Sequence, residues 1–476
     1  MLTPILRAGA AICLLAAAVV PASAQAVTPI PEARLATAEA LIDRALTGDE
    51  VGLQFVEDLT TEIGPRLAGS EAERRARDWS SRELSALGFD AVRVEGFDIP
   101  FWSRVVERAT VVGPNPQTFV VSALGGSAPT PEGGVTAEVV RFESLAELTA
   151  AGEDVVGGKI VFLDEPMLRT MDGSGYGAAV RKRRSCAAMT MARGGAGCLI
   201  RSVGTQARRF PHTGMMARSG GPMGEGPAAA LSPPDADQLT RLLERGPVTL
   251  NFEIQVETER GAPSGNVIGE LIGSQRPEEV VLIGCHLDSW DMGTGALDDG
   301  AGCGIVVGAA RLIADLPERP ERTIRVVLYG AEEVGLFGGD AYARRHAADL
   351  PNHILASESD FGADRIWRFE TRFGEGALPH ARALQAVLAP LTIIAGNNEA
   401  RGGPDIGVLR RGGVPVVTPR QNGNDYFDYH HTPDDTFDKI DPYAFRQNVA
   451  AYAAFTYLVA DSDWDLRSEA PTLGTE

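Results

Sequence analysis

The chain has 476 residues, 44 Lys+Arg against 64 Asp+Glu, and a formal net charge of −20. Domains run to about 100–200 residues, so this length holds two or three, or one large domain carrying an insertion. At 44% hydrophobic and 23% charged the chain buries a sizeable core, and its acidic balance argues against nucleic acid and against an anionic membrane surface as partners.

The first 24 residues read as a secretory leader. One positive charge lies within residues 1–7, residues 8–20 are an apolar run, and Ala22-Ser23-Ala24 has the small-residue form of a cleavage site. The run is too short to span a bilayer, and Ile12 before Cys13 argues against a lipid anchor there. The expectation is an exported protein without a membrane anchor, periplasmic or extracellular, beginning near Gln25. Cys186, Cys198, Cys285 and Cys303 then remain. Four cysteines allow three pairings, of which Cys186–Cys198 with Cys285–Cys303 is the simplest. No C-x-x-C spacing supports a zinc finger.

Residues 32–45, 51–63 and 71–87 carry helical periodicity, and 91–99 alternates as a strand. The Gly/Pro-rich run 125–134 reads as a linker. Strands follow at 137–142, 159–163 and 196–203, with a helix at 187–195 and another at 235–244. The aperiodic Gly/Met/Arg segment 208–226 reads as a mobile loop, and 248–256 as a strand. Residues 125–258 are expected to form an inserted, smaller β-rich α/β domain. It separates an N-terminal part of the main domain, 25–124, from its larger part, 259–476.

Beyond residue 259 strands alternate with helices. Strands are expected at 266–271, 279–284, 323–329, 354–357 and 414–418, and helices at 300–313, 335–347, 378–388 and 442–459. This is an α/β pattern with a mostly parallel central sheet flanked by helices. In such sheets, sites lie beyond the carboxyl ends of the strands. Three successive strand ends there deliver His or carboxylate: Cys285-His286-Leu287-Asp288, Gly330-Ala331-Glu332-Glu333 and Glu358-Ser359-Asp360. Asp298-Asp299-Gly300 precedes a helix start, and His430-His431 lies late in the chain. Taken singly, the acids suit helix caps or solvated faces, and a lone His suits a structural role. Their convergence on neighbouring strand ends favours a metal site of imidazole and carboxylate, suited to zinc, with manganese or cobalt as alternatives. Of the chain's seven histidines, His212, His346, His353 and His380 lack this context and read as bystanders.

Together these motifs resemble those of the co-catalytic di-zinc aminopeptidases, in the branch containing plasma glutamate carboxypeptidase (carboxypeptidase Q). The resemblance covers most of the chain, and 125–258 is similar to a protease-associated domain. It implies a zinc aminopeptidase-like fold and two Zn²⁺ ions per chain. His286 and Asp360 would hold one ion, Glu333 and His431 the other, and Asp298 would bridge both. It further implies Asp288 orienting the His286 ring, Glu332 as general base toward a metal-bridging hydroxide, and His430 as an oxyanion donor. The implied activity is an aminopeptidase or dipeptidase acting on short peptides with a free N-terminus.

The alternatives are a single-zinc glutaminyl cyclase-like acyltransferase and a non-catalytic, receptor-like protein on the same scaffold. A serine hydrolase is disfavoured by the lack of a G-x-S-x-G elbow at a strand end. Loops 397–405 and 420–428 offer Glu399, Asp405, Asp425 and Asp428 for a substrate amine, or Arg401 and Arg420 for a carboxylate, without distinguishing among them. Substrate side-chain preference and oligomeric state do not follow from the sequence, with which a homodimer is compatible.

Overall fold

A computed structural model of the chain describes residues 29–48, 50–216 and 224–467. The leader expected over residues 1–24, with Cys13, lies outside the described residues, as does the middle of the 208–226 segment.

The strands are β1 (Ala91–Val111), β2 (Thr118–Phe119), β3 (Val121–Ala123), β4 (Val135–Phe142), β5 (Ile160–Leu163), β6 (Gly197–Arg201) and β7 (Ala228–Leu231). They continue with β8 (Thr249–Leu271), β9 (Arg276–His286), β10 (Arg322–Tyr329), β11 (His353–Glu358), β12 (Ile366–Arg372), β13 (Ile394–Ala395) and β14 (Val416–Gln421). The larger sheet runs β13-β12-β14-β11-β9-β10-β8, with β1 beyond β8. Its centre, β14-β11-β9-β10, is parallel, whereas β8 and β12 join it antiparallel. The expected mostly parallel sheet is therefore a mixed one with a parallel core.

Burial on both faces explains the continuous apolar text of β9. Val281, Ile283 and Cys285 share a core with the helices Ala301–Ala314 and Pro442–Ala460. Val280 and Leu282 turn the other way, toward Tyr342, Ile406 and Leu409. Neither face meets water, so the polar alternation of a half-exposed strand is absent. A Cys285–Cys303 disulfide ties β9 to the helix Ala301–Ala314.

The smaller sheet is β4-β5-β6-β7, all parallel, closed by antiparallel β3. The helix Ser174–Met191 covers one face and is tied to β6 by the Cys186–Cys198 disulfide. The helix Pro233–Leu243 covers the other. The two sheets share β8, which pairs with β4 at one end and β10 at the other. The boundary expected at residue 258 thus falls inside a strand, and β3, from the segment expected to end at 124, pairs in the smaller sheet. β1 also runs twelve residues past the expected end at 99, with a register shift at Pro100.

Candidate metal centre

Parallel register brings the three strand ends together. Tyr329 lies opposite His286, and Glu358 opposite Gly284, so the residues that follow emerge side by side. The turn after β10 is fixed from β9's side: the two Asp288 carboxylate oxygens accept the Glu332 N–H at 3.0 Å and the Glu333 N–H at 3.3 Å. Ala331 takes a positive φ of 58° in this turn.

Asp298 and Asp299 have different tasks. Asp299 accepts the Gly302 N–H at 3.0 Å and the His286 N–H at 3.1 Å, capping the helix Ala301–Ala314 and tying it to β9. Asp298 faces the cleft. Its main-chain N–H and that of Leu297 are held by Asp435 at 3.2 and 2.6 Å. Beneath this loop Arg66, fully buried, donates to the carbonyls of Leu287, Gly64, Thr294 and Gly295 at 2.6 to 3.2 Å. Burial lowers its guanidinium to about 10, against the nearby carboxylates of Asp435, Asp288, Asp299 and Asp298.

Around Asp298 the side chains form two halves. Oδ1 lies 3.0 Å from His286 Nε2, which is 3.6 Å from Asp360 Oδ1. Oδ2 lies 3.2 Å from His431 Nε2, which is 2.9 Å from Glu333 Oε2. The outer nitrogen of each ring faces a carbonyl: His286 Nδ1 is 2.9 Å from the Asp288 main-chain oxygen, and His431 Nδ1 is 3.2 Å from that of Thr213. A carbonyl only accepts, so both Nδ1 atoms carry hydrogen, and in a neutral ring the Nε2 lone pair points at carboxylate oxygens. That arrangement is repulsive unless a proton or a metal ion stands between them.

Burial lowers the His431 ring, but Glu333 and Asp298 outweigh it and raise the ring to about 10. His286 is likewise held well above its usual range by Asp288, Asp298 and Asp360, against burial. Asp298 Oδ2 and Glu333 Oε1 are buried without a hydrogen bond. Imidazole and carboxylate donors with no free thiolate among them, and with buried oxygens left unpartnered, fit a metal centre. His286, Asp298 and Glu333 have donor atoms close enough for one ion, as have Asp298, His430 and His431.

The structure therefore gathers His286, Asp298, Glu333, Asp360 and His431. Glu332, half-buried, and His430 line the same cavity of about 650 Å³. Burial and the neighbouring carboxylates of Asp360, Glu333 and Asp405 raise the Glu332 carboxyl well above its usual range, with His286 opposing. His430 stacks on His431 with ring centres 3.5 Å apart, and burial keeps its ring neutral.

One expected role changes in detail. The main-chain carbonyl of Asp288 meets the His286 ring, while the nearer carboxylate oxygen stays 3.7 Å away, committed to the N–H groups of the next turn. Of the four histidines read as bystanders, His346 lies beside Glu95, His353 is bonded to Tyr342 and His380 is stacked on Trp464. His212 reaches the site: its Nδ1 donates to the His430 carbonyl at 2.7 Å. Of the segment 208–226, expected as mobile, residues 211–216 are buried beside the centre, while Arg208 and Arg209 stay exposed. In the loop 420–428 the charges are engaged elsewhere, Arg420 with Glu370 and Asp425 and Asp428 with Arg169; Asp405 of the other loop is buried and accepts the Gly339 N–H at 2.8 Å. Arg66, Asp435 and Arg183 were not anticipated. Arg183, 4% exposed, lines the cavity from the helix Ser174–Met191, bonded to Tyr176, Thr213 and Met215.

Residues 266–456 match the model of peptidase family M28. Carboxypeptidase Q of Bos taurus is 35% identical over 404 residues, covering 85% of this chain and 84% of the bovine protein. The human carboxypeptidase Q is 32% identical, covering 90% and 89%. A solved structure described as a peptidase M28 precursor from Shewanella amazonensis SB2B superposes with a TM-score of 0.88 at 48% identity, covering 91% of this chain and 98% of that one. A zinc aminopeptidase from Bacillus subtilis shares the fold, with a TM-score of 0.65 at 20% identity, covering 89% and 98%.

Proposed function

This chain belongs to peptidase family M28 and is a metallo-exopeptidase; from that premise we propose that it hydrolyses short peptides with a free N-terminus, using two zinc ions. In this reading His286 and Asp360 hold one ion, Glu333 and His431 the other, and Asp298 bridges them. The observation that carries it is Asp298, whose two oxygens each face one imidazole Nε2, at 3.0 and 3.2 Å.

Zinc at these donors supplies a Lewis acid that polarises a peptide carbonyl and makes water more acidic. The chain supplies the rest. Glu332, its main chain pinned by Asp288, accepts a proton from the attacking water and returns it to the leaving amine. Its raised carboxyl suits a group that must both take and give a proton. His430, neutral and turned into the cavity, is assigned to donate to the oxyanion. Arg183 roofs the cavity, and its guanidinium suits the carboxylate at the far end of a short peptide.

The two-sided placement of Asp298 favours this reading over a single-zinc cyclase. The full donor set together with Glu332 favours it over a receptor-like protein. Export is part of the proposal, resting on the leader-like residues 1–24 and the two disulfides; among the described residues no helix is long and apolar enough to cross a membrane. The test is a screen of unblocked dipeptides and aminoacyl-arylamides against N-blocked peptides, with and without a chelator. Chelator-sensitive cleavage of the unblocked set is expected, and cleavage confined to N-blocked peptides would refute the proposal.

A further inference from the structure

The metal centre has a support that none of its motifs announces. The last expected ligand, His431, is held by residues that follow β6 in the smaller sheet's part of the chain. The Thr213 carbonyl lies 3.2 Å from His431 Nδ1, and the Thr213 N–H donates to the His431 carbonyl at 3.1 Å. One residue earlier, His212 Nδ1 donates to the His430 carbonyl at 2.7 Å. Both consecutive histidines are therefore gripped, one by its ring and both by their main chain.

This strap is itself anchored. The His212 N–H donates to Ser202 Oγ at 3.0 Å, just past β6. Thr213 Oγ1 donates to the Ala123 carbonyl of β3 and accepts from Arg104, each at 3.0 Å. Arg183 donates to the carbonyls of Thr213 and Met215 at 3.3 and 3.1 Å. The fit leaves no slack: a Cβ on Gly214, whose φ is 132°, would stand 2.2 Å from Arg183 Nη1 and 2.8 Å from His431 Nδ1. His431 takes a φ of 60°, an uncommon conformation for a non-glycine residue, so its main chain needs outside support.

We infer that the strap His212-Thr213-Gly214 positions the His431 ring for metal binding, His212 acting through the His430 carbonyl and Thr213 through its own main chain, so that the inserted unit is a working part of the metal centre. This rests on the two-zinc reading above. The side chain of His212 bonds only the carbonyl before the ligand, so it is a positioning residue. A ligand ring whose outer nitrogen loses its fixed partner binds metal about 10- to 100-fold more weakly.

The test is zinc release from the full-length protein, followed with a chromogenic chelator, beside the melting temperature of the metal-free form. His212→Phe keeps a planar ring and removes the donor; His212→Asn restores an N–H at a similar place. Gly214→Ala presses on the His431 ring from the strap. His212→Phe and Gly214→Ala keep the Thr213 carbonyl but loosen or displace what holds it against His431. The expected result is therefore that each weakens one of the two zinc ions, by up to the about 100-fold that outright loss of such a partner costs, and spares the other, with His212→Asn close to wild type. Wild-type affinity in both weakened variants overturns the inference. Equal loss of both ions with a lowered melting temperature of the metal-free protein marks a general folding defect and overturns it too. A wild type that takes up no zinc overturns the two-zinc reading, and this inference with it.

Discussion

At the scale of single residues, holding metal and moving protons fall to different side chains, and two substitutions probe that division. Glu332→Gln leaves every expected ligand in place and removes the carboxylate that takes the water proton. It should keep normal zinc content and lose about 10²- to 10⁴-fold in turnover, read by elemental analysis beside peptide hydrolysis. Asp298→Asn removes one of the two oxygens that face the imidazoles. Its zinc content should fall below wild type, and full occupancy would count against bridging. The adjacent carboxylates explain why the sequence could name the pair but not allot their tasks. Asp298 and Asp299 differ only in which way each turns, and Asp299 turns to cap a helix.

At the scale of elements, the metal centre is as firm as the loops that present it. Arg66 is the clearest case, a buried guanidinium joining the loop before the helix Glu71–Ala86 to both ends of the loop 287–295 that follows β9. Arg66→Ala would leave four buried carbonyls without their donor, and a loss of at least about 3 kcal/mol is expected in denaturant unfolding. The three strand ends were legible because burial on both faces writes a continuous apolar run, and the residues after such a run fall at the sheet's carboxyl edge. Arg66, His212 and Thr213 were not legible, because what they bond lies far off in sequence and leaves no local pattern. Local pattern also misled. The helix expected at 187–195 is the end of one that already begins at Ser174, because the glycines at 173, 175 and 177 hide its start. Gly261 to Gly265 reads as a break, yet β8 passes through it with β1 alongside.

At the scale of the whole molecule, the two sheets are joined through β8, and residues from both parts line the cavity. The smaller unit also carries a charge whose burial should show in overall stability. Lys182, on the helix Ser174–Met191, is almost fully buried, with its ammonium bonded to the main-chain carbonyls of Glu165 and Ser202. Burial, aided by Arg201 and Arg183 and opposed by Glu165 and Asp164, lowers it from 10.5 to about 7. Between these values the unfolded chain holds a proton that the folded chain has released, so stability should rise as pH goes from about 7 to about 10. Urea unfolding across that range should show the rise, and Lys182→Met should flatten it.

The central claim is that two metal ions, shared by one bridging aspartate, make this chain an exopeptidase. The most direct measurement adds zinc back to chelator-stripped protein while hydrolysis of an unblocked dipeptide is followed. The account predicts no turnover in the stripped protein and a rise that levels off near two zinc ions per chain. Full activity at one ion per chain, or undiminished activity in the stripped protein, would contradict it.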